Sequence, residues 1–211
     1  MLMMLTTGIA TAQTDLVPTP ASEPGAATTS GGRADSKVKL RVKPHAMAGG
    51  KVKIRGRVRP GGARWVTVRI NGEKLKTVRT SKDGGFRLRW DAPGSGVYQA
   101  TAIAQGTERA KRGRSSAQEI NVYRPALASY YGPGLYGNGT ACGRTLTPST
   151  MGVAHKTLPC GTKVTLRHRG RTVTVRVIDR GPYAGAREYD LTAATKSKLG
   201  FGGVGTVLTT R

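Results

Sequence analysis

The chain has 211 residues, and its 35 Lys and Arg outweigh 11 Asp and Glu to give a formal net charge of +24. Abundant glycine (30 residues) and a hydrophobic content of 37% suit short strands and turns and argue against a helix bundle. Past the N-terminus no apolar run reaches the roughly 18 residues that a membrane-spanning helix needs, so none is expected.

The first segment, MLMMLTTGIATAQT, reads as the end of a secretory signal peptide over residues 1–12. An apolar run is followed by Ala10-Thr11-Ala12, a small-x-small cleavage pattern. Residues 13–36 are rich in Pro, Thr, Ala, Ser and Gly and have little apolar surface to bury, which predicts a flexible tether.

From Lys37 the pattern becomes strict alternation. Val38, Leu40 and Val42 alternate with Lys39, Arg41 and Lys43. Val52, Ile54 and Val58 alternate with Lys and Arg, and Val66, Val68 and Ile70 run into the hairpin signal Asn71-Gly72. Phe86, Leu88 and Trp90 follow an Asp83-Gly84-Gly85 turn, and 97–104 reads as a further strand. Six or seven short strands over 37–123 predict an antiparallel, immunoglobulin-like β-sandwich without a His, Cys or carboxylate cluster for chemistry. Residues 37–123 carry 21 basic against 5 acidic residues. An excess of one sign points to a polyanionic partner. Anionic cell-wall polymers or phosphate-bearing glycans fit an exported chain better than nucleic acid, since no row of aromatics interleaves the basic residues. The sandwich reads as an anchor.

Past Arg124-Pro125 the composition shifts to Gly, Tyr and Thr, marking a second domain over 126–211. It holds the only two cysteines, Cys142 and Cys160. In an exported chain an isolated pair reads as a disulfide. A zinc site would have to draw on His45, His155 and His168, which lack close ligand pairs, and a nucleophilic Cys would need His155 as its base. No metal or cofactor is expected. No lipid-attachment Cys follows the signal-like segment, which points to a soluble secreted or wall-associated protein; a monomer is expected. Residues 162–168 and 171–178 form a hairpin around Arg169-Gly170, 191–199 a short helix capped by Asp190 or Thr192, and 205–210 a last strand. The only carboxylate side chains of this region are Asp179, Glu188 and Asp190, all within VIDRGPYAGAREYDLT. They either hold a loop together or touch a substrate.

The segments ASYYGPGLYGNGTACG (128–143), GVAHKTLPCGTKVTL (152–166), VIDRGPYAGAREYDLT (177–192) and LGFGGVGTV (199–207) resemble the double-psi β-barrel of the rare lipoprotein A family, related to barwin and expansin barrels. The resemblance covers about 126–211. It implies a six-stranded barrel with a glycan-binding groove, and so an all-β protein with a sandwich followed by a barrel. Enzymes of the family are lytic transglycosylases that cut peptidoglycan between MurNAc and GlcNAc and leave a 1,6-anhydro sugar. That reaction needs one carboxylic acid in a poorly solvated setting, because the sugar's own C6 hydroxyl is the nucleophile.

By this resemblance Asp179 of DRGPY is the acid/base, with capping of its own turn as the bland role. His155 of AHKTLP is a groove histidine that orients the acid or binds sugar, or a buried structural one. Arg180, Asp190 and Arg144 are expected at the substrate, and Tyr131 and Tyr183 on sugar faces. Glu188 reads as a surface residue. The chain departs from the family in TACGR: Arg144 stands where enzymatic members often carry a Glu. If that Glu is needed, the barrel binds or loosens glycan, as expansins do, without cleaving it.

Overall fold

The computed structural model describes residues 32–211, and residues 33–211 form one compact unit. The signal-like segment 1–12 and tether residues 13–31 lie outside the described residues. The alternation of Val and Ile with Lys and Arg forms β1 (Lys37–Val42), β3 (Lys51–Arg59) and β6 (Gly85–Asp91), an antiparallel sheet in the order β1-β3-β6. A second sheet is built from β4 (Trp65–Ile70), β5 (Glu73–Arg79), β7 (Gly96–Ala104) and β9 (Gln118–Tyr131), with β2 (His45–Met47) on β9 and β8 (Gly113–Arg114) on β7. Ile54, Val58, Val66, Val68, Trp90, Ile120 and Val122 close the space between the two sheets. Each such buried side chain contributes roughly 1.5–3 kcal/mol. Asn71 and Gly72 both adopt positive φ (50° and 86°), the mirror-image turn that matches strand twist in a tight hairpin.

Two boundaries differ from the sequence reading. The tether ends before residue 34: Ala34 bridges Ala110, and the Ser36 hydroxyl binds both Arg64 and the Lys111 carbonyl. The expected break at Arg124-Pro125 is absent, because β9 runs through it. Residues 118–122 of β9 pair with β7, and 124–128 pair with β14 (Gly205–Thr209). Pro125 lacks an N–H and sits just past the point where the strand changes partners, where its missing donor does least harm. One continuous strand therefore joins the second sheet to the C-terminal half.

The C-terminal half closes on itself. Around the ring, β9 is followed by β13 (Tyr189–Thr192), β10 (Val153–His155), β12 (Arg171–Asp179), β11 (Lys163–His168) and β14, which returns to β9. The pairs β9–β13 and β10–β12 are parallel and the others antiparallel. This is the expected six-stranded barrel, and closure leaves no open sheet edge. Leu166, Val177, Tyr189, Leu191, Leu199 and Val207 fill it. The helix α1 (Ala193–Leu199) starts at Thr192, whose hydroxyl accepts the Thr195 N–H at 3.3 Å, and ends at Gly200 with φ 65°. Thr192 rather than Asp190 is the cap, which leaves the Asp190 carboxylate for other work.

Candidate active site

Strand register decides which side chains meet. Ala154 on β10 lies opposite Asp179 on β12 and opposite Asp190 on β13, while Ser129 and Tyr131 on β9 lie opposite Asp190 and Thr192. Residues directly opposed across strands share a face, and neighbours along a strand point to opposite faces. Asp179 pairs with Ala154 across a register shift, and the charges of both Asp179 and Asp190 reach the Tyr131 hydroxyl, so Asp179, Asp190, Ser129 and Tyr131 form one cluster beside Ala154. His155, one residue further along β10, turns to the other side.

On this acid face the Ser129 hydroxyl donates to Asp190 Oδ1. Asp179 Oδ1 accepts the backbone N–H of Ala141 at 2.9 Å and of Arg180 at 2.8 Å. Its Oδ2 has no hydrogen-bond partner among the described residues. The Tyr131 hydroxyl is buried, is likewise unpartnered among the described residues, and faces both acids. Burial, the charge of Asp179 with a loose hydrogen-bonding approach to it, and the charge of Asp190 push its pKa well above the ordinary phenol value, so it stays a neutral donor. Because that hydroxyl has no partner at full hydrogen-bond geometry among the described residues, Tyr131→Phe should leave the melting temperature within about a degree of the parent. A calorimetric scan of the variant checks this.

Ala141 comes from a loop that folds back on itself: the Gly137 N–H donates to the Leu146 carbonyl, the Leu146 N–H to the Asn138 carbonyl, and the Thr140 N–H to the Arg144 carbonyl. Cys142, next in the chain, donates its N–H to Ile178 and forms the expected disulfide with Cys160 (Cα–Cα 5.7 Å). Arg144 lies on the returning limb, exposed and without a carboxylate partner among the described residues. Tyr183 follows Asp179 in the DRGPY turn and is 81% exposed, a free ring at the rim. Arg180 points elsewhere than expected. Its guanidinium donates to the carbonyls of His155 and Leu158 and to Cys160 Sγ, so it braces the 155–160 turn.

The second side is organised around His155. Its Nδ1 accepts N–H bonds from Thr157 (3.1 Å) and Leu158 (3.0 Å), which places the ring proton on Nε2, 3.7 Å from Glu188 Oε1. Burial lowers the His155 pKa; Glu188 partly opposes this, and Arg124 and Arg180 add to it. Glu188 is not a surface residue. Both its oxygens take guanidinium N–H bonds from Arg124. Burial works against its ionisation, but Arg124 and His155 outweigh it and hold the carboxyl below its usual range. A cleft of about 470 Å³ opens here between Arg124, His155, Lys156, Glu188, Tyr189 and Arg211, and neither Asp179 nor Asp190 lines it. Its one carboxylate is tied to Arg124, so it has no free acid for proton transfer. The acid face does.

Both groups have folded-state pKa values below their unfolded ones, so the unfolded chain binds more protons as pH falls. The stability they contribute is present at neutral pH. It is lost first as pH drops below about 6.5, through the range of His155, and then below about 4.3, through that of Glu188. Calorimetry from neutral to acid pH should show a falling melting temperature, with a shallower fall in Glu188→Gln. That variant should also lose about 1 kcal/mol at neutral pH, a modest figure because the ion pair is partly exposed.

Residues 127–209 match the family described as "Lytic transglycolase", a double-psi β-barrel. The chain is 36% identical over 139 residues to the "Probable endolytic peptidoglycan transglycosylase RlpA" of Synechocystis sp., covering 64% of this chain and 43% of that protein. It is 45% identical over 75 residues to the "Endolytic peptidoglycan transglycosylase RlpA" of Campylobacter jejuni, and 44% identical over 91 residues to that of Pseudomonas aeruginosa. These matches cover 35% and 42% of this chain and 27% of each relative. The chain thus spans less than half the length of the curated relatives it matches.

Proposed function

We propose that the C-terminal barrel, whose residues 127–209 match the lytic transglycolase family, is of the RlpA-like double-psi β-barrel type, and that this protein is an exported lytic transglycosylase that cuts the glycan strands of peptidoglycan. The observation that carries the proposal is the acid face. Among the described residues a carboxylate is fixed by two backbone N–H groups on one oxygen, carries no hydrogen bond of full geometry on the other, and lies in one cluster with a second carboxylate and a buried hydroxyl.

In the proposed reaction Asp179 Oδ2 delivers a proton to the glycosidic oxygen as the bond from MurNAc C1 breaks. The C6 hydroxyl of the same sugar then bonds to C1, and the carboxylate takes its proton, so no water is consumed. Asp190, held by Ser129, sets a second negative charge on the same face to stabilise the positive charge that develops at C1. Tyr131 offers its hydroxyl proton to the sugar or the acids, and Tyr183 offers its ring as a stacking surface at the rim. His155 and Arg180 hold the 155–160 turn, to which the disulfide ties the Ala141 loop. Arg144 in the place of a family Glu leaves Asp179 as the working acid. It is also the one observation that favours a second reading, a barrel that binds and loosens glycan without cutting it.

The domain division, with 37–123 as an anchoring module and 126–211 as the glycan-acting module, belongs to the same proposal. So does location outside the cytoplasm; no helix among the described residues is long and apolar enough to cross a membrane. Incubating the protein with purified glycan strands, with and without stem peptides, and reading the products by mass spectrometry tests the proposal. New 1,6-anhydro ends support the enzyme. Co-sedimentation with the wall and no such ends would leave the binding reading in its place.

A further inference from the structure

The basic residues of the N-terminal half are not spread evenly over it. The outward face of the β1-β3-β6 sheet carries three cations on β1, five on β3 and two on β6, all exposed, with Asp91 as the only acid on those strands. Register sets like charges directly against each other: Lys39 against Arg57, Lys53 against Arg89, and Arg41, Arg55 and Arg87 in one row across all three strands. Among the described residues only Arg57 of this face forms an ion pair, with Asp83 at 2.5 Å and exposed, while Lys51 lies opposite Asp91 at the end of the sheet. Like charges facing each other across strands destabilise a sheet, so this face works against its own folding unless something negative lies on it. The other sheet shows no such array. Its strands intersperse Trp65, Thr67, Glu73, Thr77, Gln99 and Glu119 with their cations.

We propose that the β1-β3-β6 face is a docking surface for a flexible phosphodiester polymer of the cell wall, a chain of alditol phosphates. The charge is complementary, and the face is a strip three strands wide, about 10 Å across at the usual strand spacing, on which a single flexible chain can lay successive phosphates along the rows. Nucleic acid fits it less well. The aromatic residues of this sheet, Phe86 and Trp90, are buried on the inner side, so no ring is presented for a base to stack on. The choice of a wall polymer rests on the proposed function of the barrel. Binding to the pure polymer is independent of glycan cleavage, so the two can fail separately.

The test compares two fourfold variants of the full chain with equal charge loss. One is Arg41→Thr, Lys53→Thr, Arg55→Thr and Arg87→Thr; the other is Lys74→Thr, Lys76→Thr, Arg79→Thr and Arg114→Thr on the second sheet. Affinity is measured against poly(glycerol phosphate) over a range of salt, with oligo(dT) and hyaluronan as reference polyanions. Thermal melts confirm that both variants fold; relief of repulsion should leave the first at least as stable as the parent. The expected result is at least a tenfold loss for the first variant, with the slope of log Kd against log salt falling by about 3 for four lost phosphate contacts, and little change for the second. Equal losses in both would overturn the proposal in favour of diffuse charge. Tighter binding of oligo(dT) would make the face a nucleic-acid surface, and equal binding of hyaluronan would remove phosphate as the recognised group. Release of anhydro ends from polymer-free glycan, measured in parallel, reports on the barrel alone.

Discussion

Asp179→Asn should abolish the appearance of 1,6-anhydro ends while leaving the fold intact. The asparagine carbonyl can still accept the N–H groups of Ala141 and Arg180, so the loop that approaches Asp179 stays in place. What is lost is the proton on the free oxygen, because an amide nitrogen cannot donate to the leaving group and then act as base. A positioned acid/base is worth about 10²–10⁴ in rate, and the whole of that should disappear with the melting temperature nearly unchanged. A fall in rate of less than about tenfold would show that another group protonates the leaving oxygen.

The second large effect is expected from Cys142→Ser combined with Cys160→Ser. The crosslink closes a segment of 18 residues, and freeing one of that length costs about 3 kcal/mol through the entropy returned to the unfolded chain. For a protein of this size that is roughly 10 °C in melting temperature. The functional consequence is separate. Ala141, whose N–H fixes Asp179, adjoins Cys142, so releasing Cys142 loosens the acid itself. Measured well below the melting transition, turnover should still drop by about tenfold, in line with the cost of a misplaced catalytic group. Full turnover with a lowered melting temperature would make the disulfide a matter of stability only.

The strands and hairpins are legible in the sequence because Val and Ile alternate with Lys, Arg and Thr, and because Asn71-Gly72 and Arg169-Gly170 accept positive φ. The join at Pro125 is not. A proline reads as a break, and only the change of neighbours along β9 shows why the strand survives it. Asp179, Asp190, Tyr131 and the cysteine pair are visible as motifs, and the structure gathers the first three on one face. The direction of His155 is not visible. It depends on the register of a three-residue strand, in which a shift by one residue would send the ring to the opposite side. Glu188 is missed for a related reason: its partner Arg124 lies 64 residues upstream, and no local pattern connects them.

In the proposed reaction the acid face around Asp179 and Asp190, and not the cleft around His155, carries the glycan chemistry. Turnover of stem-stripped glycan by Asp179→Asn and by His155→Gln, assayed side by side with a melt of each, tests it most directly. Anhydro ends should be lost in the first and retained within about tenfold in the second, since His155 acts on the reacting atoms only through the turn it holds. Loss in a folded His155→Gln with turnover kept in Asp179→Asn would contradict it.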